Sequence, residues 1–312
     1  MTSSVHALYG DLWANPRDGF DERIDQSLNP RDPDMLDGLF GELSISGDDI
    51  VLDVGSRDAL HATEFVQRFG CEVVALDPIP VHLEWARQRV AEAGLQDRVA
   101  LILGRMEELP LDDGSIDHIW CRDVLNHVEL QTGLSECFRV LRPGGTMLVY
   151  QTFATGLLES REAERLYRAL AIVPENMSCA RFEHTARCAG LEICHKETIG
   201  SEWREHGLEE GWGSLDKALL RLARMRRQED SLVSEYGRAF YEAAYAGTLW
   251  NIYQVLGKLC PVVHCLKRPG SPAGAARLAG TRDEAAVDAP GENLSSGLAG
   301  SSGWDTAGRI SG

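Results

Sequence analysis

The chain has 312 residues, of which 44% are hydrophobic and 25% are charged, and its formal net charge is −17 at pH 7. This size and composition are typical of a soluble globular protein with a sizeable core. The negative charge repels phosphate backbones, which disfavours a general nucleic-acid binder. No signal peptide and no apolar run of about 18 residues is present, so the sequence predicts a cytoplasmic protein without a membrane span.

The eight cysteines include no Cys-x-x-Cys pair. Most lie inside apolar stretches, as Cys121 does, which favours reduced cysteines in the core. The alternative is a zinc site built from Cys179, Cys188, Cys194 and His195, although these residues lack the spacing of zinc fingers. The sequence therefore predicts no metal site.

Composition divides the chain into three regions. Residues 1–40 are predicted to form an N-terminal helical cap that is interrupted by prolines. Residues 41–268 are predicted to form the main domain. From 269 to 312 small residues dominate and large apolar residues nearly vanish, so we expect a disordered tail that buries too little surface to offset its ordering entropy.

Short apolar runs alternate with helical segments between residues 41 and 155, the pattern of parallel βαβ units. Strands are predicted over 49–54, 71–76, 99–103, 116–121 and 146–150, and crossover helices over 59–69, 81–93 and 133–141. Continuous apolar runs are expected of parallel strands that are covered on both faces. Ligands bind beyond the carboxyl ends of such strands, so functional residues are expected at that edge.

Two carboxylates follow the first two predicted strands. Asp53 and Gly55 end the first, where a glycine lets the backbone approach a ligand beside the amino terminus of a helix. Asp77 ends the second, from which a carboxylate can accept hydrogen bonds from ribose hydroxyls. Asp77 is also compatible with the role of a helix N-cap that precedes Pro78 at the first helical position.

Five segments, in order, resemble the motifs of class I S-adenosylmethionine-dependent methyltransferases of the small-molecule type. They are Val51–Gly55, Val74–Asp77, Gly104–Asp117, Asp123–Val128 and Phe138–Gly145. The resemblance implies an α/β fold with a Rossmann-like, mostly parallel seven-stranded sheet. It also implies S-adenosyl-L-methionine as the cofactor.

The resemblance further implies roles for matched residues. Asp53 and Gly55 would line the methionine end of the cofactor, and Asp77 would hold its ribose. Met106 and Glu107 would flank the adenine. Arg122, with a helix over Asp123–His127, would face the sulfonium and the methyl acceptor. The full predicted cofactor set is Asp53, Gly55, Arg57, Asp77, Pro78, Met106, Glu107 and Arg122.

Two features depart from the family pattern. The family usually repeats glycine two and four residues after Gly55, where this chain has Arg57 and Ala59. The Arg57 guanidinium could instead pair with the carboxylate of the cofactor. Arg105 stands where many relatives carry an aspartate that binds the adenine amino group. Because arginine only donates hydrogen bonds, Glu107 or a backbone carbonyl would have to accept from that group.

The C-terminal half fits a helical insertion before the last strand. A helix is predicted over 183–189, strands over 191–196 and 262–267, and the insertion over about 200–258 with helices at 215–228 and 230–258. In small-molecule methyltransferases, such an insertion and an N-terminal helix often roof the acceptor pocket. The aromatic residues that would line this roof are Tyr9, Trp13, Trp212, Tyr236, Tyr241, Tyr245, Trp250 and Tyr253. The alternative is a helix–helix core.

His127 is the predicted general base, one turn into the helix expected after the fourth strand, and a packing role is its alternative. Weaker candidates are His184, Glu202 and His206. The basic run 221–227 is either a solvated helix face or a contact for an acidic substrate or neighbour.

The sequence thus predicts a methyltransferase that acts on a small organic molecule, in specialised metabolism. The alternative is a methyltransferase-fold protein that has lost methyl transfer and acts as a cyclase, an eliminase or a partner subunit. The third hypothesis is a methyltransferase that acts on a macromolecule, and the negative net charge disfavours DNA or RNA as that macromolecule. The predicted partner is the small-molecule substrate, with no nucleic acid and no membrane, and an oligomer or partner protein is left open.

Overall fold

A computed structural model describes residues 19–211 and 215–270. The strands are β1 (Ile50–Val54), β2 (Glu72–Asp77), β3 (Val99–Leu103), β4 (Ile116–Arg122), β5 (Leu141–Ala154), β6 (Glu192–Thr198) and β7 (Leu259–Lys267). The helices are α1 (Phe20–Ile24), α2 (Asp34–Gly41), α3 (Leu60–Phe69), α4 (Pro80–Glu92), α5 (Leu130–Val140), α6 (Ser160–Ala169), α7 (Cys179–Cys188), α8 (Glu202–Glu209), α9 (Leu215–Arg227), α10 (Glu229–Tyr236) and α11 (Arg238–Val255). The predictions for Tyr9, Trp13, Trp212 and the tail from 271 lie outside the described residues.

The strands form one seven-stranded sheet in the order β3-β2-β1-β4-β5-β7-β6. Strands β1 to β5 run parallel, and β7 runs antiparallel to both β5 and β6. The predicted Rossmann-like sheet is therefore confirmed. The chain leaves β1 towards β2 and returns from β3 to β4, so the strand order reverses between β1 and β4. Such a reversal opens a crevice at the carboxyl ends of the two strands.

The structure corrects three sequence predictions. Strand β5 begins at Leu141, not at 146, because Leu141 already pairs with Ile116 of β4. The helix predicted over 230–258 is divided at Gly237, whose φ of 86° ends α10. The helix predicted over Asp123–His127 is a single 3₁₀ turn, Leu125–His127, because Asp123 is left-handed at φ 54° and Val128 is extended.

The core lies on both faces of the sheet. On one face, Trp120 of β4 packs against Phe40 of α2 and Phe65 of α3, with ring centroids 5.0 Å apart in each pair. Phe40 is fully buried, so the C-terminal part of the predicted N-terminal cap contributes to the sheet core. On the other face, Ile119 packs within the cluster that α5 and α7 cover. The division of the chain into three regions stays a prediction.

Helices α8 to α11 form an insertion between β6 and β7, as predicted. Within it, Tyr241 and Tyr245 are buried against Leu222 and Met225 of α9. These tyrosines form a helix–helix core, the alternative to a pocket lining. Tyr236 is exposed. Over the described ranges, no helix has both the length and the apolar character that a bilayer span requires.

Candidate cofactor and acceptor site

The candidate site lies at the carboxyl edge of the sheet where β1, β2 and β4 end. Val54 pairs with Leu76 on one side and with Cys121 on the other. This register brings the turn after β1 beside the end of β4. Three aspartates mark this edge, namely Asp53, Asp77 and Asp123.

The turn after β1 has three alternating left-handed residues. The φ angles are 74° at Gly55, 49° at Arg57 and 57° at Ala59. A left-handed residue with a Cβ costs roughly 1–2 kcal/mol, so Arg57 and Ala59 are strained where relatives carry glycine. A Cβ at Gly55 would overlap the side chain of Val124, which follows β4. The chain keeps the left-handed turn despite both substitutions.

Asp53 is a buried carboxylate with an unsatisfied oxygen. The residue is 2% exposed, and its Oδ2 has no hydrogen-bond partner among the described residues, nor has the Ser56 hydroxyl nearby. Burial raises the pKa of Asp53 to about 7; Asp77 adds to the rise, while His61 opposes it. A buried polar atom without a partner is costly, so this site favours a ligand that donates hydrogen bonds.

Asp77 connects β2 to the turn after β1. One carboxylate oxygen accepts a hydrogen bond from the Arg57 backbone N–H at 2.9 Å, and the other accepts from the Ile79 N–H at 2.9 Å and faces His82 Nδ1 at 3.0 Å. Helix α4 begins at Pro80, so the predicted N-cap role with Pro78 as the first helical residue is wrong. Pro78 lies exposed beside the carboxylate.

The predicted adenine segment follows β3. The Met106 side chain is buried and lies against Gly133 of α5, which leaves the backbone of this residue at the edge of the sheet. Glu107 accepts a hydrogen bond from the Glu129 N–H at 3.1 Å and pairs with the exposed Arg105 at 3.3 Å. The roles of Met106 and Glu107 at the adenine stay predictions.

Arg122 ends β4 among aromatic rings. Tyr150 and Trp203 stack with centroids 4.7 Å apart, and the Arg122 guanidinium lies 5.6 Å from each ring centroid. Its Nη1 is 3.1 Å from Nε2 of His61, the second residue of α3. Arg122 is thus held between the start of α3 and the insertion, which contributes Trp203 from α8.

Asp123 is an ionisable group that our sequence analysis gave no chemical role. Its backbone N–H donates to the Tyr150 carbonyl at 2.9 Å, and its carboxylate accepts from Thr152 Oγ1 at 3.4 Å. The residue is exposed to solvent on one side. The protein around it nevertheless desolvates the carboxylate and raises its pKa to about 6, while the charges of Arg122 and Arg204 oppose this rise. The available signal was its place at a strand end, which it shares with Asp53 and Asp77.

His127 lies in the 3₁₀ turn after β4 rather than one turn into a helix. Asn176 holds this turn, since its Nδ2 donates to the Leu125 and Val128 carbonyls at 2.7 and 2.8 Å. The His127 ring is exposed, and its Nδ1 is 3.0 Å from the Ala171 carbonyl. A carbonyl partner requires a proton on Nδ1, which leaves Nε2 as the nitrogen that can accept one.

The other base candidates have partners elsewhere. Glu202 pairs with Arg31, and His206 lies 4.0 Å from Asp32. His184 Nε2 is 3.5 Å from Cys188 Sγ on the exposed face of α7. The structure does not bring these three residues to His127.

Cys179, Glu183 and His264 lie within 4.8 Å of one another. The Lys196 ammonium is 2.6 Å from Glu183 and holds the pKa of that carboxyl down at about 2. Because a cation already neutralises Glu183, we interpret the cluster as a polar network rather than a metal site. The alternative zinc set is not assembled, since among the described residues Cys179 clusters with Glu183 and His264 and not with Cys188, Cys194 and His195.

Comparisons with known proteins agree with this geometry. Residues 52–149, from β1 to β5, match the model of a methyltransferase domain. The segment from β1 to β5 is therefore a methyltransferase domain of the class I S-adenosylmethionine-dependent type. The cofactor of this family is S-adenosylmethionine.

The relatives cover different parts of this chain. An uncharacterised methyltransferase of Mycobacterium tuberculosis is 43% identical over 103 residues, which are 33% of this chain and 40% of that protein. The 27-O-demethylrifamycin SV methyltransferase of Amycolatopsis mediterranei is 27% identical over 202 residues, 63% of this chain and 74% of that protein. The chain therefore spans less than half the length of the first relative.

A solved structure shares the fold. The geranyl diphosphate methyltransferase in complex with S-adenosylmethionine superposes with a TM-score of 0.57 at 18% identity, over 85% of this chain and 96% of that one. At this identity the likeness concerns the fold alone.

The residues at the carboxyl edge fit the cofactor. Asp53 offers an unsatisfied carboxylate oxygen for an ammonium group, and Asp77 offers a buried carboxylate for ribose hydroxyls. The left-handed turn brings backbone close to both. The Arg57 guanidinium is exposed beside the turn, where its predicted pairing with the cofactor carboxylate stays open.

The strained turn leads to a first prediction. We expect Ala59→Gly to change the free energy of unfolding by less than about 0.5 kcal/mol, because relief of roughly 1–2 kcal/mol of strain offsets the lost methyl group and the flexibility of glycine. The control is Ala62→Gly, at an equally buried α3 position with helical backbone. This variant should lose about 2 kcal/mol in urea denaturation, and equal losses in both variants would contradict the strain.

The buried Asp53 leads to a second prediction. Unfolded, Asp53 ionises near its ordinary pKa of 3.8, whereas the folded protein keeps its proton up to about pH 7. The folded state binds more protons between these values, so the contribution of Asp53 to stability falls as the pH rises from 4 to 7. Asp53→Asn cannot ionise. Its melting temperature, relative to wild type, should therefore rise between pH 5 and pH 8.

The control is Asp97→Asn, an exposed aspartate at the opposite edge of the sheet. It should track wild type across the same pH range in thermal unfolding. Parallel curves for wild type and Asp53→Asn would show that Asp53 is not protonated in the folded protein near neutral pH.

Proposed function

We propose that this chain transfers the methyl group of S-adenosylmethionine to a small organic molecule bound at the carboxyl edge of the sheet. The observation that carries the proposal is the pairing of two groups across the β1–β4 crevice. Asp53, with an unsatisfied oxygen, lies on the β1 side, and the solvent-reached carboxylate of Asp123 lies on the β4 side. The first suits the cofactor, and we assign the second to the acceptor.

When bound, the cofactor supplies a methyl group on a positively charged sulfur. The protein would hold it by the Asp53 carboxylate, the Asp77 carboxylate and the backbone of the left-handed turn. Since the electrophile is already activated, positioning of the acceptor in line with the methyl group supplies much of the rate. The residues after β4 would provide that positioning, because Asn176 and the buried Asn126–Gln151 hydrogen bond fix their turn.

A proton must leave the acceptor when its nucleophilic atom carries one. We propose that Nε2 of His127 takes it, with the ring oriented by the Ala171 carbonyl. Asp123 is the second group at this edge that can accept a proton, because its pKa of about 6 leaves it mostly ionised at neutral pH.

The backbone of the turn after β1 favours a chain that still binds the cofactor over one in which the same fold has a different activity. Arg57 and Ala59 depart from the family sequence, but both adopt the left-handed backbone that glycine normally provides. The Arg57 N–H still donates to Asp77. Retention of this strained geometry supports methyl transfer ahead of a cyclase, an eliminase or a partner subunit. The relative that methylates a rifamycin supports a small-molecule acceptor.

Calorimetric titration with S-adenosylmethionine and S-adenosylhomocysteine tests the cofactor site. We expect both to bind, and Asp77→Ala to weaken each by roughly tenfold or more, because hydrogen bonds to a charged group are lost. Asp97→Ala, at the opposite edge, is the matched control and should bind as wild type does. Absence of binding to wild type would refute the proposal.

Transfer of a labelled methyl group to a panel of phenols, amines and organic acids tests the chemistry. For any acceptor found, we expect His127→Gln to lower turnover by roughly 100-fold and to remove the rising limb of the pH–rate profile. His184→Gln, an exposed histidine on α7, should leave both unchanged. If Asp123→Asn rather than His127→Gln removes the limb, then Asp123 accepts the proton and our assignment of His127 is wrong.

A further inference from the structure

The geometry points to an anion-binding subsite formed by Arg122 and Arg204, which binds a carboxylate or phosphate group of the methyl acceptor. The inference deepens the proposed function, since it concerns the acceptor side of the same site. It predicts an acidic or phosphorylated acceptor for a chain whose own net charge is strongly negative.

The partners of Arg122 are an imidazole nitrogen and two aromatic rings. Its guanidinium contacts His61 Nε2 at 3.1 Å and the faces of Tyr150 and Trp203. In the part of the chain that the structure describes, it forms no ion pair with a carboxylate. His61 in turn pairs with Glu64 at 3.2 Å, so that carboxylate is engaged with the imidazole.

Arg204 is likewise without a carboxylate partner across the described ranges. It comes from α8, and its Nε donates to Oε1 of the buried Gln254 of α11 at 2.7 Å. Burial lowers its pKa, which means that the surroundings disfavour the charge. Arg204 is half-buried, and a partly desolvated guanidinium without a counterion is costly, a cost that a ligand anion would offset.

The two arginines share one neighbourhood. The Arg122 guanidinium lies against the ring of Trp203, the residue that directly precedes Arg204 in α8. Asp123 interacts with both guanidiniums at longer range but forms a described ion pair with neither. Two positive charges and one negative charge leave one positive charge uncompensated. The buried Trp203 adds an indole N–H that has no hydrogen-bond partner in the described structure, and such a group can only donate.

This chemistry suits an oxyanion. A guanidinium presents a planar set of N–H donors that matches carboxylate and phosphate oxygens. The position favours the acceptor over the cofactor, because Arg204 belongs to the insertion and is held by α11. The groups that fit the cofactor, Asp53 and the left-handed turn, lie at β1.

The acceptor is unidentified, so inorganic pyrophosphate is the probe. It is titrated calorimetrically into full-length protein saturated with S-adenosylhomocysteine. We expect binding to wild type that Arg204→Met weakens by about tenfold or more, a size typical of hydrogen bonds to charged groups. Methionine keeps much of the apolar stem of arginine, and Arg204→Lys should retain part of the affinity.

Arg227→Met is the matched control, because it removes the same charge from the exposed end of α9. It should bind pyrophosphate as wild type does. Thermal unfolding of each variant establishes that it is folded, and the affinity of Arg204→Met for S-adenosylhomocysteine should equal that of wild type.

Two results would overturn the assignment. The first is pyrophosphate affinity that is absent in wild type or equal in wild type and Arg204→Met. The second is that pyrophosphate competes with S-adenosylhomocysteine and that Arg204→Met also loses affinity for S-adenosylhomocysteine. Arg204 would then bind the carboxylate of the cofactor and not an anionic group of the acceptor. If wild type binds no S-adenosylhomocysteine, the proposed function fails. The anion subsite is then tested separately, by titrating pyrophosphate into the free wild-type protein and the free Arg204→Met variant and comparing their affinities.

Discussion

The hydrogen bond from the Arg57 backbone N–H to the Asp77 carboxylate ties the turn after β1 to the end of β2. The remainder of the site depends on this connection, because it stabilises the left-handed backbone at Arg57 and sets the start of α3. Helix α3 then presents His61 to Arg122 at the end of β4. The turn after β1 and helix α3 are thereby connected to the ends of β2 and β4 by side-chain contacts, in addition to the pairing of the strands in the sheet.

Several groups at this edge are poorly satisfied within the protein itself. Asp53 is buried with an unsatisfied oxygen, Arg204 is half-buried beside a neutral amide, and Asp123 adopts a left-handed backbone that a Cβ disfavours. Each lowers stability without contributing to the core. Concentration of such features at one edge is typical of functional sites, where ligands complete the missing interactions.

The two halves of the site have different origins in the chain. The cofactor side comes from β1, β2 and their turns, within the segment that matches the methyltransferase domain. The proposed acceptor side depends on Trp203 and Arg204 of α8 and on Gln254 of α11, which lie outside that segment.

The sequence by itself determined the sheet, the order of its strand-end motifs and the place of Asp53 and Asp77, because apolar runs and strand-terminal residues are local signals. It misplaced His127 in a helix, since the left-handed Asp123 that shortens the turn has no local signature. Only the tertiary structure decided that Trp203 of α8 packs against Arg122 and Tyr150, and that Tyr241 and Tyr245 form a helix–helix core. Those outcomes depend on packing between segments far apart in the chain, which no local pattern encodes.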